Sequence, residues 1–332
     1  MSRRRVQLED WLAGIVGERD LVLEPAAGDA SFRRYWRVRT GETSLIAMDA
    51  PPGQEDVHRF VDVAERLRAV GLNAPQILAR DLARGFLLLS DLGERLYLDV
   101  LSPQNVERLY GDALGALVVI QACAPTEGLP AYDDALLRRE LGTFREWLVH
   151  RHLAIGLSPE ESAHLDAGFE HLVASALEQP QVFVHRDFHS RNLLVTNPPS
   201  PGILDFQDAM LGPVTYDLVS LLRDCYVAWP DERVARWAQG YFELATQSGV
   251  LRDIEETRFM RWFDLLGVQR HLKASGIFAR LMLRDSKPGY LKDIPRTLDY
   301  VVRVGSGYPE LEGLARLVRM RVLPALQARR DN

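Results

Sequence analysis

Apolar residues change their spacing once along this chain, and that change sets what it can fold into. Before residue 90 they come in short runs: Leu21-Val22-Leu23, Tyr35-Trp36-Arg37-Val38, Ser44-Leu45-Ile46-Ala47-Met48, residues 75–81 and Phe86-Leu87-Leu88-Leu89. Runs of that length with branched and aromatic residues, separated by turn residues, read as strands. Two amphipathic helices accompany them, one through Leu8, Trp11, Leu12, Ile15 and Val16, the other over residues 55–70. Beyond Ser102 helical spacing dominates, and helices are expected over 103–122, 133–153, 159–177, 214–226, 231–246, 254–275, 277–285, 287–304 and 310–327. Ser158-Pro159-Glu160-Glu161 has the form of a capping box with proline at the first helical position. Strands first and helices later predict an α+β protein with a small N-terminal β-sheet lobe and a larger helical C-terminal lobe. A length of 332 residues suits two packed units better than one core.

One stretch breaks the helical pattern. Val182-Phe183-Val184, Leu193-Leu194-Val195 and Ile203-Leu204 are short apolar runs, and polar residues stand at their ends. His185-Arg186-Asp187 is followed after four residues by Asn192, and Asp205-Phe206-Gln207 comes after the third run. Moving a phosphoryl group from ATP to a hydroxyl needs a carboxylate to take the proton, and ligands for the cations that neutralise the phosphates. An H-R-D-x-x-x-x-N loop and a D-F-G-like triplet supply both. Asp187 is the expected base, and Asn192 and Asp205 the expected Mg2+ ligands. The competing reading is that these polar side chains only satisfy loop backbone.

Composition excludes several classes. With 47% hydrophobic and 26% charged residues the chain is an ordinary globular protein. A formal charge of −6 argues against general nucleic-acid binding. No apolar run is long enough to span a bilayer, and Glu9 and Asp10 interrupt the basic N-terminus before a signal sequence forms, so a cytoplasmic location is expected. Cys123 and Cys225 both fall in apolar helical patterns and read as buried thiols. Nothing in the sequence sets the oligomeric state.

Two turns bear on a nucleotide. Backbone amides of residues 28–32, including Gly28, Ser31 and Phe32, could cover phosphates, although the stretch lacks G-x-G-x-x-G spacing and a plain hairpin turn is the alternative. The connection Ser90-Asp91-Leu92-Gly93-Glu94 stands where a two-lobed kinase runs its hinge past adenine; the alternative is a simple loop.

Three stretches then carry a resemblance: residues 183–194, Ile203-Leu204-Asp205-Phe206-Gln207-Asp208 and Gly212-Pro213-Val214-Thr215-Tyr216-Asp217-Leu218. Together with residues 28–35, 48–51 and 269–273 they resemble the aminoglycoside phosphotransferase family. They are most similar to its branch that phosphorylates N-acetylmuramate and N-acetylglucosamine at the anomeric hydroxyl in bacterial cell-wall recycling. The resemblance implies a protein-kinase-like fold with a nucleotide-binding lobe over 1–90, a hinge at 91–94, and a helical lobe over 95–332 holding the catalytic loop and acceptor site. It implies ATP and Mg2+ as cofactors, an amino-sugar substrate, Arg186 as a support of the catalytic loop, and Asp217 as structural. An aminoglycoside or other small-alcohol phosphotransferase, or a non-catalytic nucleotide-binding protein, are the competing functions.

One departure stands out. Kinases of this fold carry a lysine on the third strand to bind phosphates, and here Met48 occupies that place. Arg33 and Arg34, beside the phosphate turn, are the nearest candidates for the missing cation; a solvated strand face is the alternative. For the acceptor, Arg270, His271 and Lys273 form a basic cluster on an apolar helix that suits a carboxylate-bearing sugar better than a polycation. Glu140 and Trp147 at helical spacing, Arg223 and Asp224, and His189 and Asp208 beside the base and metal segments complete the substrate candidates. Core packing and internal ion pairs are their bland alternatives.

Overall fold

A computed structural model describes residues 3–17, 21–27, 32–41 and 43–330. In chain order its elements are α1 (Arg3–Val16), β1 (Val22–Ala27), β2 (Arg34–Thr40), β3 (Thr43–Asp49), α2 (Val57–Ala69), β4 (Ile77–Asp81), β5 (Phe86–Ser90), α3 (Tyr97–Val100), α4 (Val106–Cys123), α5 (Asp134–Thr143), α6 (Pro159–Leu177), β6 (Gln181–Val184), β7 (Leu193–Leu194), β8 (Gly202–Ile203), β9 (Met210–Pro213), α7 (Tyr216–Leu222), α8 (Asp231–Gln247), α9 (Glu256–Asp285), α10 (Ile294–Gly305), α11 (Glu312–Leu317) and α12 (Leu323–Arg330). The chain divides into two compact units, Met1–Pro125 with Arg191–Ala209, and Thr126–Ser190 with Met210–Asn332. The connection 91–94 lies inside the first unit, and the segment 182–208 passes from the second into the first.

The first unit is built on an antiparallel sheet of order β1-β2-β3-β5-β4. Alternate residues of a strand share a face, so Val38, Ala47, Phe86 and Leu88 form one apolar surface, and Leu8 and Leu12 of α1 are buried against it. That is the packing role the periodicity of α1 predicts. Where β5 begins, Gly85 has φ +73, and a side chain there would bring a Cβ to 1.9 Å from the Ala50 carbonyl oxygen. Only glycine fits that turn. Asp56 caps α2 by accepting from His58 N and Arg59 N, which leaves Glu55 at the mouth of the helix. The β7–β8 ladder, with Leu193 opposite Ile203, also belongs to this unit.

The second unit is helical around α9, which packs on α5, α6, α7 and α10. Sequence spacing divides this stretch at residues 275–277, yet α9 runs unbroken for 30 residues. Gly276 is there for contact: a Cβ on it would lie 2.4 Å from the Thr143 carbonyl carbon, where the helix crosses the end of α5. Similarly, the helix expected over 133–153 is α5 continued as a π-helix from Phe144 to His152. The helix expected over 214–226 is shorter, because α7 ends at Leu222 and Asp224 turns to other partners. The capping box of α6 forms as predicted, Ser158 Oγ accepting from Glu161 N at 3.1 Å and the Glu161 carboxylate from Ser158 N at 2.8 Å. Of the two cysteines expected to be buried, Cys225 is; Cys123, the last residue of α4, is exposed.

Candidate active site

In the second unit, the catalytic loop leaves β6 after Val184 and is held at its backbone. Asp217, fully buried in the first turn of α7, accepts from His185 N at 2.6 Å and Arg186 N at 2.9 Å. Those bonds support Arg186 at φ +79, a conformation unfavourable for a residue with a side chain. Burial pushes the Asp217 carboxyl up to about 7, against the pull of the two amides and Arg270. The supporting role implied for Asp217 therefore has a geometry to match.

Side chains from α5, α7 and α9 close around the same loop. Glu140 accepts from Arg186 Nη2 at 2.8 Å and lies 3.0 Å from Lys273 Nζ; its other oxygen accepts from the Tyr132 hydroxyl. Lys273 Nζ also donates to the Tyr216 hydroxyl at 2.7 Å, and Gln269 Nε2 donates to the Tyr132 hydroxyl at 3.1 Å. Arg270 lies over the Tyr216 ring, 5.0 Å from its centroid, and its Nη2 donates to the Arg186 carbonyl at 3.3 Å. Asp187 emerges from this web half-buried. Burial pushes its carboxyl up, but His189, Lys273, Arg186 and Arg270 more than offset that and hold it below the usual carboxylate range. It is thus an ionised carboxylate at neutral pH, as a proton acceptor requires.

The web changes the standing of several acceptor candidates. Glu140, Arg270 and Lys273 are brought together around the catalytic loop: Lys273 pairs with Glu140, while Arg270 reaches the Arg186 carbonyl and the Tyr216 ring. His271 is buried, pairs through Nε2 with the Arg223 carbonyl at 2.9 Å, and stacks on Tyr300 at 4.7 Å. Burial pushes it down to about 3, so it stays neutral, and the ring is committed to the packing of α9. Arg223 Nη2 pairs with Asp264 at 2.5 Å, and the Asp224 carboxylate accepts from Ser190 N, Ser190 Oγ and Tyr226 N, tying down the end of the catalytic loop. These are the internal pairs of the bland alternative. His189 is half-buried, edge-on to Tyr226 at 5.5 Å, and Trp147 is half-buried beneath Arg151.

In the first unit, Asn192 and Asp205 come together. Asn192 Nδ2 stands 3.4 Å from Asp205 Oδ2, and Leu204 N donates to the Asn192 carbonyl at 2.9 Å. Asp205 has φ +60, and Gln207 Nε2 donates to its Oδ1 at 2.8 Å. Among the described residues no group of three His, Cys, Asp or Glu side chains could hold a metal by itself. Two oxygen ligands suit Mg2+, which keeps waters and arrives with phosphate oxygens. The amide oxygen of Asn192 and the carboxylate of Asp205 fit that ion. Asp208 is exposed, 3.5 Å from Gln207 Nε2.

Of the predicted nucleotide contacts, Gly28 and Ser31 lie outside the described residues. Phe32 is exposed and its amide donates to Glu55 Oε1 at 2.9 Å. Arg33 is 9% exposed, 3.7 Å from Glu55 and 3.4 Å from Asp205, whereas Arg34 is exposed at the start of β2. Ser90 is bound through N and Oγ to Gln76. The Asp91 carboxylate accepts from Arg37 Nε at 2.7 Å, Ser44 Oγ at 2.5 Å and Gly93 N at 2.9 Å, so its side chain fixes the connection. Burial pushes Asp91 up, but these donors hold it lower than usual. Half-buried Leu92 lines a cavity of about 430 Å³ with Asn73, Arg95 and Val195. Sequence reasoning assigned nothing to Glu55, Gln207, Tyr132 or Tyr216; the signals were the acid just ahead of α2 and the glutamine in the D-F-Q triplet.

Known proteins resemble this chain over most of its length. A model of the phosphotransferase enzyme family matches residues 22–263. The chain is 49% identical over 310 residues to an N-acetylmuramate/N-acetylglucosamine kinase of Pseudomonas aeruginosa, covering 93% of this chain and 90% of that one. It is 46% identical over 296 residues to the Pseudomonas putida protein of the same name, covering 89% and 87%. The ADP-bound structure of aminoglycoside phosphotransferase APH(2'')-Ib shares the fold, with a TM-score of 0.61 at 15% identity, covering 90% of this chain and 98% of that one.

Proposed function

Because the chain belongs to the phosphotransferase enzyme family, we propose that it transfers the γ-phosphoryl group of ATP to the anomeric C1 hydroxyl of N-acetylmuramate and N-acetylglucosamine. The observation that carries the chemistry is Asp187, an ionised carboxylate held half-exposed by a loop that the fold clamps from behind. The amino sugars are supported by the names of relatives that match nearly the whole chain.

Asp187 takes the proton of the C1 hydroxyl as its oxygen bonds to the γ-phosphorus. The bond from phosphorus to the β–γ bridging oxygen breaks, and its electron pair leaves with ADP. Arg186 contributes by pinning the loop through Glu140. Asn192 and Asp205 would hold Mg2+, which when bound neutralises phosphate charge. Residues 90–93 meet adenine through backbone groups, since the Asp91 carboxylate is occupied. Arg270 and Lys273 act on the acceptor through a positive field, their heads being held by the Arg186 carbonyl and by Glu140 with Tyr216; that field suits the lactyl carboxylate of N-acetylmuramate. No described helix is long and apolar enough to cross a membrane, and we place the enzyme in the cytoplasm, where ATP is supplied.

Phosphorus NMR of the products from N-acetylmuramate, N-acetylglucosamine and an aminoglycoside tests this reading. The expected product is a phosphate on the anomeric carbon of the two amino sugars. A phosphomonoester on any other oxygen overturns it.

A further inference from the structure

Phosphates in a transfer site need a fixed cation, and strand β3 does not offer one. Met48 is fully buried there, paired across the sheet with Tyr35 and Leu87. We propose that Arg33, gripped by Glu55, is the phosphate-binding cation of this enzyme; the assignment rests on the kinase reading above.

Three observations point to Arg33. First, its guanidinium is already at the metal ligand, Nη2 lying 3.4 Å from Asp205 Oδ1. A cation that neutralises Asp205 there stands where phosphates must come if Asp205 binds their metal. Second, Glu55 fixes it from two sides. One carboxylate oxygen lies 3.7 Å from Arg33 Nη1 and the other accepts from Phe32 N at 2.9 Å, so the same acid holds the head of Arg33 and the backbone just before it. Glu55 sits at the mouth of α2, the helix that follows β3, and so forms the arginine counterpart of the lysine–glutamate pair of kinases. Third, other arginines of the unit are engaged elsewhere. Arg37 holds Asp91 and Glu94, Arg4 holds Asp49, and Arg59 donates to the Ala209 carbonyl. Arg34 is exposed.

The chemistry fits as well. A guanidinium presents parallel N–H donors and can serve two phosphate oxygens at once, whereas an ammonium acts as a point charge. The contacts of Arg33 to Glu55 and to Asp205 are longer than the roughly 2.7–2.9 Å of a tight charge-assisted bond, so nucleotide can take over donors from Asp205. That exchange also releases Asp205 for its metal.

Calorimetric titration of AMP-PNP with Mg2+, and of adenosine, into the wild type and the Arg33→Met, Arg33→Lys, Arg34→Met and Glu55→Gln variants tests the assignment. Arg33→Met is expected to weaken AMP-PNP about 10- to 100-fold, the worth of a charged hydrogen bond, while leaving adenosine affinity and the KM for sugar unchanged. Arg33→Lys recovers part of the loss, and Glu55→Gln loses less than Arg33→Met. Unchanged AMP-PNP affinity in Arg33→Met overturns the assignment alone, as does an equal loss of adenosine, or a loss confined to Arg34→Met. A wild-type protein that binds no nucleotide overturns the kinase reading and this assignment together.

Discussion

The two carboxylates expected to do the chemistry are held in opposite ways. Around Asp187 the fold supplies a finished setting: Asp217 grips the loop amides at 2.6 and 2.9 Å, and Glu140 bridges Arg186 and Lys273 at 2.8 and 3.0 Å. Around Asp205 the Gln207 amide stands at 2.8 Å, while Asn192 and Arg33 both stand at 3.4 Å. A proton acceptor must be placed before substrate arrives, and strain or solvent there raises the barrier directly. Metal ligands are drawn together by the ion and its phosphates, so looseness before binding costs less. Variants should therefore divide into those that fail in the protein itself and those that fail only toward ligand.

The sharpest division should come from Asp187→Asn. Loss of a general base typically costs about 100- to 10,000-fold in rate, and here kcat should fall by that amount with AMP-PNP affinity unchanged. Substantial turnover in this variant would remove Asp187 from the mechanism and the contrast with it. Next in size is Glu140→Gln, which leaves buried Lys273 and half-buried Arg186 without their shared counter-charge. Breaking a buried pair costs about 3–5 kcal/mol of stability, read as a lower denaturation midpoint. The double variant Glu140→Gln with Lys273→Met should recover part of that loss, since it removes the stranded charge too. Lys273→Met also bears on the base. Lys273 is one of the cations that keep the Asp187 carboxyl below its ordinary range, so without it the group protonates at higher pH. The acid limb of the kcat profile should move upward in pH; an unmoved limb would mean the web supports the loop without tuning the base.

Much of this contrast was legible residue by residue and little of it as architecture. The H-R-D loop, Asn192 and Asp205 declare themselves because their spacing is local, set by two short ladders that return the chain within about twenty residues. The roles of Arg270 and Lys273 do not. Their helix is apolar around them, and nothing in spacing reveals that Glu140, more than a hundred residues earlier, is waiting as the counter-charge of Lys273, or that Arg270 reaches the Arg186 carbonyl. A basic pair on an apolar helix looks the same whether it faces a ligand or a buried acid. His271 was misleading for the same reason, its Tyr300 partner lying on α10. Gly276 shows the converse: a residue that reads as a helix break serves a helix crossing, because local propensity yields to packing.

The smallest expected effect tests the looser side. Gln207 is 5% exposed, its Nε2 bound to Asp205 Oδ1, and its Oε1 is buried with no hydrogen-bond partner among the described residues. A side chain so placed orients the ligand it touches, and removing such a partner typically weakens a metal about tenfold or somewhat more. Gln207→Leu keeps the apolar volume and deletes the amide, so Asp205 would lose the shortest of its contacts to Gln207, Asn192 and Arg33. Titration of Mn2+ into the AMP-PNP complex, followed by electron paramagnetic resonance, should show weaker metal binding of about that size, with the denaturation midpoint little changed. Gln207→Glu should do worse, because a second carboxylate would face Asp205 at hydrogen-bond distance. If Gln207→Leu instead lowers stability as Glu140→Gln does and leaves Mn2+ affinity intact, Asp205 is held by the fold after all, and the two carboxylates are built alike.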